Sequence, residues 1–309
     1  MSAASSHASA EALEARIASK MRRIEITTKH LSTDSFHGGV QSRFRGRGMD
    51  FDEVREYAPG DDVRAIDWNA TARAGGDRAF VKKYREERLL TVVFMVDMSA
   101  SGALGASDTS KREQAIEIAG VLALAALRSD HRLSMALFTD TVELFVPPAR
   151  GRSHALRMIR DLVTFEPASR KTNLSVALRT MRESLKRRAV VIVLSDFLLD
   201  REDMERSRTE LRMLAKRHDV ITIRTGDPHD RGLPSVGLLT VEDAETGEVV
   251  EVDTGSRSQR AALEQAVRET EERIRLLARS AHVDMLDVDT LRPYLAPLIG
   301  FFKARGRRS

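Results

Sequence analysis

The 309-residue sequence contains no cysteine. Disulfide bonds, thiolate zinc sites, iron–sulfur clusters and cysteine nucleophiles are therefore excluded, and any bound metal must be held by oxygen or imidazole ligands. Aromatic residues are scarce too, at 5% of the chain. Few of them stand among the basic residues, so the base stacking by which many proteins bind single-stranded nucleic acid is poorly supported.

The sequence also lacks a long apolar run. The longest apolar helical run, Ile118–Leu127, is about half as long as a helix that spans a bilayer, so we expect a buried helix and no transmembrane segment. The first 20 residues lack a positively charged start followed by an apolar core, which argues against a secretory signal. We therefore expect a cytoplasmic protein that reaches the inner membrane only through its partners.

Neither sign of charge dominates. The 50 basic and 46 acidic residues are interspersed and leave a net charge of +4, which is typical of a solvated surface. Nucleic-acid binding is kept as an alternative function on Arg43, Arg45, Arg47 and the tail Lys303–Arg308, whose last arginines we expect to be disordered. No G-x-x-x-x-G-K-[ST] motif is present, so the chain is not itself expected to be an ATPase.

From Leu89 onward, apolar strands alternate with amphipathic helices, which predicts a doubly wound α/β fold with a mostly parallel sheet. Strands at about 132–139 and 142–146 are close enough to form a hairpin and hence an antiparallel edge strand. A second hairpin is predicted over 236–252, with its turn at 245–247. The predicted parts of the chain are an N-terminal helix (residues 1–34), a loop-rich lobe (35–88), the α/β region (89–228) and a C-terminal region of hairpin, helices and basic tail (229–309).

Oxygen-bearing side chains follow two buried strands where each strand ends. The first strand runs into Asp97, Ser99 and Ser101, Asp196 closes the second, and Thr172 stands just before a helix. Because the carboxyl ends of parallel strands meet at one edge of a sheet, we expect these side chains to lie close together. Each could also cap a helix or form a turn, and Thr172 is expected to be an N-cap in either case. Together, two carboxylates and three hydroxyls suit Mg²⁺ or Mn²⁺.

The region from Leu89 to about Pro228 resembles a von Willebrand factor A domain, and these five residues fall on that family's metal-ion-dependent adhesion site. The resemblance implies that the serines bind a divalent ion directly and that the threonine and the carboxylates bind it directly or through water. It also implies that the ion binds an acidic side chain of a partner protein. Lys171 stands where the family often has glycine, and Gly102 where it usually has methionine. A lysine near the ion lowers its affinity by repulsion unless it points away.

The lobe before this region carries a longer pattern. The segments 44–73 (FRGRGMDFDEVREYAPGDDVRAIDWNATAR) and 80–88 (FVKKYREER) resemble the bacterial family known as domain of unknown function fifty-eight. The resemblance implies a partnership with a MoxR-type AAA+ ATPase, beside which such proteins are typically encoded. It also implies a role in the assembly or maturation of client proteins, without naming a client.

Charged residues of the lobe alternate in sign around Trp68, the only tryptophan. They are Arg55, Asp61, Asp62, Arg64, Asp67 and Arg73. One interpretation is a salt-bridged loop in which Trp68 is a wedge between the lobe and the main domain. The other is a docking surface for the ATPase partner.

One alternative to a binding protein is a Mg²⁺-dependent phosphohydrolase that uses Asp97. A phosphoaspartate enzyme normally has a second carboxylate two residues later and a nearby lysine. Ser99 occupies that position, although Lys171 could supply the lysine. We therefore expect a non-enzymatic, metal-dependent protein-interaction module without catalytic residues, whose cofactor is Mg²⁺ or Mn²⁺.

Overall fold

The computed structural model describes residues 19, 21–24, 27–28, 40, 50–59, 61, 63, 66–73, 75, 78–85, 90–103, 109–231 and 236–307. The chain divides into two compact units, one of residues 43–89 and one of the remaining residues. Most of the predicted N-terminal helix lies outside the described residues, but positions 19, 21–24 and 27–28 are helical.

The smaller unit, which we call the lobe, is a two-stranded antiparallel ribbon with one short helix. Its elements are β1 (Asp50–Glu56), α1 (Trp68–Arg73) and β2 (Phe80–Arg85). The expected loop-rich lobe thus contains two strands, and β1 has no clear sequence pattern because a bulge between Phe51 and Glu53 breaks the alternation that marks a strand. Asp67 begins α1, since its Oδ1 accepts hydrogen bonds from the backbone N–H groups of Asn69 (3.0 Å) and Ala70 (3.2 Å).

The larger unit alternates strands with helices. Its elements are β3 (Thr91–Asp97), α2 (Lys111–Arg128), β4 (Arg132–Phe138), β5 (Val142–Ala149), α3 (Arg152–Thr164), α4 (Leu174–Ser184), β6 (Val190–Ser195), α5 (Arg201–Ala215), β7 (Asp219–Gly226), β8 (Leu238–Glu242), β9 (Val249–Asp253), α6 (Arg257–Ala281), β10 (Asp284–Asp289) and α7 (Leu295–Arg307). The main sheet has the strand order β10-β7-β6-β3-β4-β5, and only β5 pairs antiparallel within it. The predicted fold class is confirmed.

Helices cover both faces of this sheet, which is why its central strands are continuous apolar runs. On one face, Val93 and Met95 of β3 pack in a core with side chains of α4, α5 and α6. The long apolar helix α2 begins with a capping box between Ser110 and Glu113 and is buried along most of its length. No helix in the described part of the chain has the length and apolar character that crossing a bilayer requires.

Strand β3 occupies the point where the chain reverses its direction of winding. From β3 the chain passes to β4 on one side, and later returns to β6 on the other side. The two crossovers leave a crevice outside the carboxyl ends of β3 and β6, which is the usual ligand position in an open α/β sheet. Asp97 and Asp196 lie at these two ends.

The sequence predicts a C-terminal region, residues 229–309, apart from the α/β region, but in the structure both belong to the larger unit. Strand β10 pairs parallel with β7 and completes the main sheet. The expectation of a disordered basic tail is also wrong for Arg305 and Arg307, which belong to α7. Arg305 is 4% exposed, and its guanidinium donates to both oxygens of Asp219 (2.9 and 2.7 Å) and to Asp284. A carboxylate as deeply buried as that of Asp219 requires such a cation. Arg308, the last arginine of the predicted tail, lies outside the described residues.

His218, between α5 and β7, is expected to make the free energy of unfolding depend on pH. It is 3% exposed, and neither imidazole nitrogen has a hydrogen-bond partner among the described residues. Burial, together with the charges of Arg217 and Arg188, lowers the pKa of His218 from 6.5 to about 4. As the pH falls from about 6.5 to about 4, the unfolded chain therefore takes up a proton that the folded chain does not.

We expect the free energy of unfolding to decrease over this window by on the order of 3 kcal/mol through this residue. Urea unfolding at a series of pH values, in the wild type and in His218→Gln, measures the effect. The variant should have a correspondingly flatter profile between pH 6.5 and 4. Parallel profiles for the two proteins would contradict the assignment.

Candidate metal centre

Asp97 ends β3 with its carboxylate held by two hydrogen bonds. Its Oδ1 accepts from the backbone N–H of Ser99 (2.9 Å), and its Oδ2 accepts from the hydroxyl of Ser195 at the end of β6 (2.7 Å). Ser195, which the sequence analysis did not select, therefore ties the two strand ends together. These contacts fix the orientation of the Asp97 carboxylate before any ligand arrives.

The two serines after Asp97 lie side by side. The Oγ atoms of Ser99 and Ser101 are 3.2 Å apart, so one ion can contact both. The guanidinium of Arg112, from the first turn of α2, donates to the carbonyl oxygen of Ser99 at 2.5 Å. This contact anchors the turn that presents the two hydroxyls.

The loop that carries Thr172 packs directly on the serine turn. The backbone N–H of Ala100 donates to the carbonyl of Arg170 at 2.9 Å. The expectation that Thr172 is the N-cap of α4 is wrong. Asn173 takes this role, and its side chain accepts from Val176 N–H at 3.1 Å. The Thr172 hydroxyl is thereby left for another contact at the rim of the crevice.

Thr172 instead contacts a carboxylate that the sequence analysis did not select. Its hydroxyl donates to Oε1 of Glu245 at 2.6 Å, and its backbone N–H donates to Oε2 at 3.1 Å. Glu245 lies in the turn between β8 and β9. A third carboxylate is therefore present beside the two predicted ones.

Asp196 follows β6 and forms a buried ion pair. Its Oδ2 accepts from the ammonium of Lys111 at 2.8 Å, and its Oδ1 accepts from the backbone N–H of Leu198 at 3.1 Å. Lys111 is only 2% exposed and also donates to Asp230 at 3.0 Å. The lysine that bears on the site is thus Lys111, at the start of α2, whereas Lys171 is exposed.

The electrostatics of the site reflect crowded carboxylates. Burial, and then the charge of Asp196, raises the pKa of Asp97 to about 6. Burial also raises the pKa of Glu245, and the charge of Asp196 adds to this effect although hydrogen bonds from Thr172 oppose it. Burial acts to lower the pKa of Lys111, but the charges of Asp196 and Asp230 outweigh it and raise the pKa above the usual value. A cation at the rim would relieve the repulsion between the carboxylates.

The donor set fits a hard divalent cation. All five predicted residues lie at the same rim, and they offer carboxylate and hydroxyl oxygens, which are the ligand types that Mg²⁺ and Mn²⁺ prefer. Among the described residues, no group of three or more His, Cys, Asp or Glu side chains is arranged to hold a metal. Any ion here would therefore depend on the serine and threonine hydroxyls.

The charged residues predicted around Trp68 in the lobe are only partly described. Arg55 and Asp61 form an ion pair at 2.7 Å, which agrees with the salt-bridged loop. Trp68 is 70% exposed, which is the opposite of a buried wedge. Asp62 and Arg64 lie outside the described residues.

The chain is similar to known proteins along most of its length. The model of the family described as "Protein of unknown function DUF58" matches residues 53–273. The uncharacterized protein Rv1480 of Mycobacterium tuberculosis is 32% identical over 296 residues, which are 94% of this chain and 90% of that protein.

Two solved structures are similar at low identity. The conserved hypothetical protein BatB from Bacteroides thetaiotaomicron has a TM-score of 0.47 and 16% identity, over 71% of this chain and 100% of that chain. A von Willebrand factor type A protein from Catenulispora acidiphila has a TM-score of 0.40 and 11% identity, over 74% of this chain and 43% of that chain. The family match and the relative from M. tuberculosis decide the assignment, and the chain belongs to the DUF58 family.

Proposed function

We propose that the protein is a non-enzymatic protein-interaction module that binds partners through a divalent cation. Mg²⁺ or Mn²⁺ would be held at the rim by Asp97, Ser99, Ser101, Thr172 and Asp196, and would in turn bind a carboxylate of the partner. The observation that carries the proposal is the pairing of the Ser99 and Ser101 hydroxyls beside a carboxylate fixed at the strand end.

The charge balance at the rim supports this function. Lys111 pairs with Asp196 and with Asp230, so Asp97 contributes most of the negative charge that the five proposed donors present to an ion. A divalent ion held mostly by hydroxyls and one carboxylate keeps a net positive charge. It therefore attracts a further carboxylate, which is the chemistry that a partner's aspartate or glutamate provides.

The contacts of Asp97 favour binding over phosphohydrolase chemistry. Both of its carboxylate oxygens accept hydrogen bonds within the protein, and Ser99 stands where a phosphoaspartate enzyme needs an acid. Lys111 is committed to Asp196 and Asp230. The nucleic-acid alternative is also less favoured, because Arg305 is buried in an ion pair, while Arg43, Arg45 and Arg47 lie outside the described residues.

We propose a MoxR-type AAA+ ATPase as the partner, acting with this protein in the cytoplasm on the assembly or maturation of clients. Besides the metal centre, the exposed Trp68 and the Arg55–Asp61 ion pair of the lobe would contact the ATPase. Exposed tryptophans are uncommon on free surfaces and frequent among residues that dominate binding energy.

We expect the ATPase to bind the chain in Mg²⁺ and to lose at least tenfold in affinity in EDTA, in Ser99→Ala and in Trp68→Ala, on the order of the loss at an interface hot spot. Biolayer interferometry against a MoxR-type ATPase from the same genome measures this. Ser184→Ala, an exposed serine on α4, is the matched control and should bind like the wild type. Equal affinity in Mg²⁺ and EDTA would contradict the metal dependence.

A further inference from the structure

The turn between β8 and β9 is built to present Glu245. Asp243 Oδ1 accepts hydrogen bonds from the backbone N–H groups of Glu245 (3.0 Å) and Thr246 (2.7 Å), which closes the turn. Gly247 has φ +73°, a left-handed conformation that glycine adopts without strain. The Glu245 carboxylate is thereby directed to Thr172, which donates to both of its oxygens.

The rest of the hairpin is weakly held. Among the described residues, its two strands pair only with each other, and Leu238, Val249 and Val250 are 66%, 59% and 49% exposed. A two-stranded ribbon without its own core is marginally stable. Besides the Glu245 contacts, the turn is held by a hydrogen bond from Arg170 Nε to the carbonyl of Ala244 at 3.0 Å.

Glu245 also has the chemistry that a partner would bring to the ion. It is a carboxylate at the tip of an extended hairpin, in contact with one of the five donor residues and within the electrostatic influence of Asp196. The carboxylates of Asp97, Asp196, Asp230 and Glu245 outnumber the cations of Lys111 and Arg112, so the rim carries an excess of negative charge. A cation bound there would attract the Glu245 carboxylate first, because the chain holds it in place.

We propose that Glu245 is an internal ligand of the metal centre, and that a partner binds by displacing it. This inference rests on the function proposed above. The partner is then expected to present a glutamate or aspartate at the tip of a turn, with small and polar neighbours like those of the sequence Ala244–Gly247. Because a tethered group competes at an effective concentration of about millimolar or more, the hairpin selects against weak and unspecific acidic ligands.

Removal of the Glu245 charge separates the two effects of the internal ligand. In Glu245→Gln the Mn²⁺ affinity should fall by about tenfold or more, as for loss of one supporting group of a metal site. With Mn²⁺ saturating, the same variant should bind an external carboxylate about tenfold more tightly, since no internal ligand has to leave. Glu248 is exposed on the same hairpin and directly precedes β9. Glu248→Gln is therefore the matched control and should behave as the wild type in both respects.

The experiment combines calorimetric titration of Mn²⁺ with fluorescence polarisation of a cyclic peptide that carries the turn sequence Asp-Ala-Glu-Thr-Gly-Glu. A peptide with glutamine at its third position is the control and should not bind. Hydrogen exchange gives an independent readout, because Mn²⁺ should protect the amides of residues 238–253 in the wild type but not in Glu245→Gln.

The outcomes distinguish this inference from the proposed function. Weaker Mn²⁺ binding, tighter peptide binding and loss of the Mn²⁺-dependent protection in Glu245→Gln support the internal ligand. If Mn²⁺ binds and Asp97→Ala abolishes the binding, while Glu245→Gln matches the wild type in all three measurements, the metal centre stands and the internal ligand is overturned. If the wild type binds no Mn²⁺, both are overturned.

Discussion

Replacement of Asp97 with alanine is expected to weaken Mn²⁺ binding by at least about 100-fold. Loss of a group that only supports a metal ligand costs about 10- to 100-fold, and Asp97 is the main charged donor of the proposed centre. Its carboxylate also holds Ser99 N–H and the Ser195 hydroxyl, so the variant loses both the charge and the fixed strand ends. Isothermal titration calorimetry of Mn²⁺ and Mg²⁺ into both proteins measures the change.

Two further variants separate these contributions. Asp97→Asn keeps a side chain of the same size, whose oxygen can still accept from Ser99 N–H while its NH2 group can donate to the Ser195 hydroxyl, and it should fail to bind the ion although its fold is intact. Asp161→Ala removes a carboxylate on α3 and should bind Mn²⁺ like the wild type. Unchanged Mn²⁺ affinity in Asp97→Ala, with thermal unfolding that shows a folded protein, would contradict the assignment.

Replacement of Arg305 with alanine is expected to lower the free energy of unfolding by about 3 to 5 kcal/mol. Asp219 is fully buried and Arg305 donates to both of its oxygens, so the variant leaves a buried carboxylate without its main cation. The loss extends to Asp284 of β10, which the same guanidinium contacts. Denaturant unfolding monitored by circular dichroism measures the change in stability.

Arg307→Ala is the matched control for this prediction. Arg307 lies two residues further along α7 and is exposed, so its removal should change the unfolding free energy by less than about 0.5 kcal/mol. Similar stabilities for the two variants would mean that the ion pair between α7 and β7 does not stabilise the larger unit.

Much of the fold could be predicted from the sequence because it depends on local patterns. The strands β3 and β6 are unbroken apolar runs, α2 has its capping box, and β8–β9 is marked by its turn residues. The alternation of strands and helices along the chain also predicts that Asp97 and Asp196 lie at the same edge of the sheet, and β3 and β6 are neighbours in it. Strand β1 was missed because a bulge interrupts its alternation.

The remaining contacts of the site could not be predicted, because they join residues far apart in sequence. Lys111 is 85 residues from Asp196, Ser195 is 98 residues from Asp97, and Glu245 is 73 residues from Thr172. A charged residue at the start of a helix, such as Lys111, looks like a solvated one until the helix is packed. For the same reason the sequence indicated Lys171, the neighbour of Thr172 along the chain, as the lysine of the site.

The ion pair of Arg305 in the C-terminal region could not be predicted from the local sequence either. A short basic segment at the end of a chain has the composition of a disordered tail. Asp219 is the residue that gives Arg305 a buried partner, and nothing in the local sequence of either residue indicates the other. The ion pair joins α7 to β7, and β10, which precedes α7, pairs with β7 in the main sheet.

The most direct test of the metal centre is anomalous diffraction from crystals of the chain grown with Mn²⁺. We expect one manganese peak at the carboxyl ends of β3 and β6, in contact with the hydroxyls of Ser99 and Ser101 and with a carboxylate oxygen of Asp97. No peak at this rim in crystals saturated with Mn²⁺, with Lys111 still paired to Asp196, would contradict it.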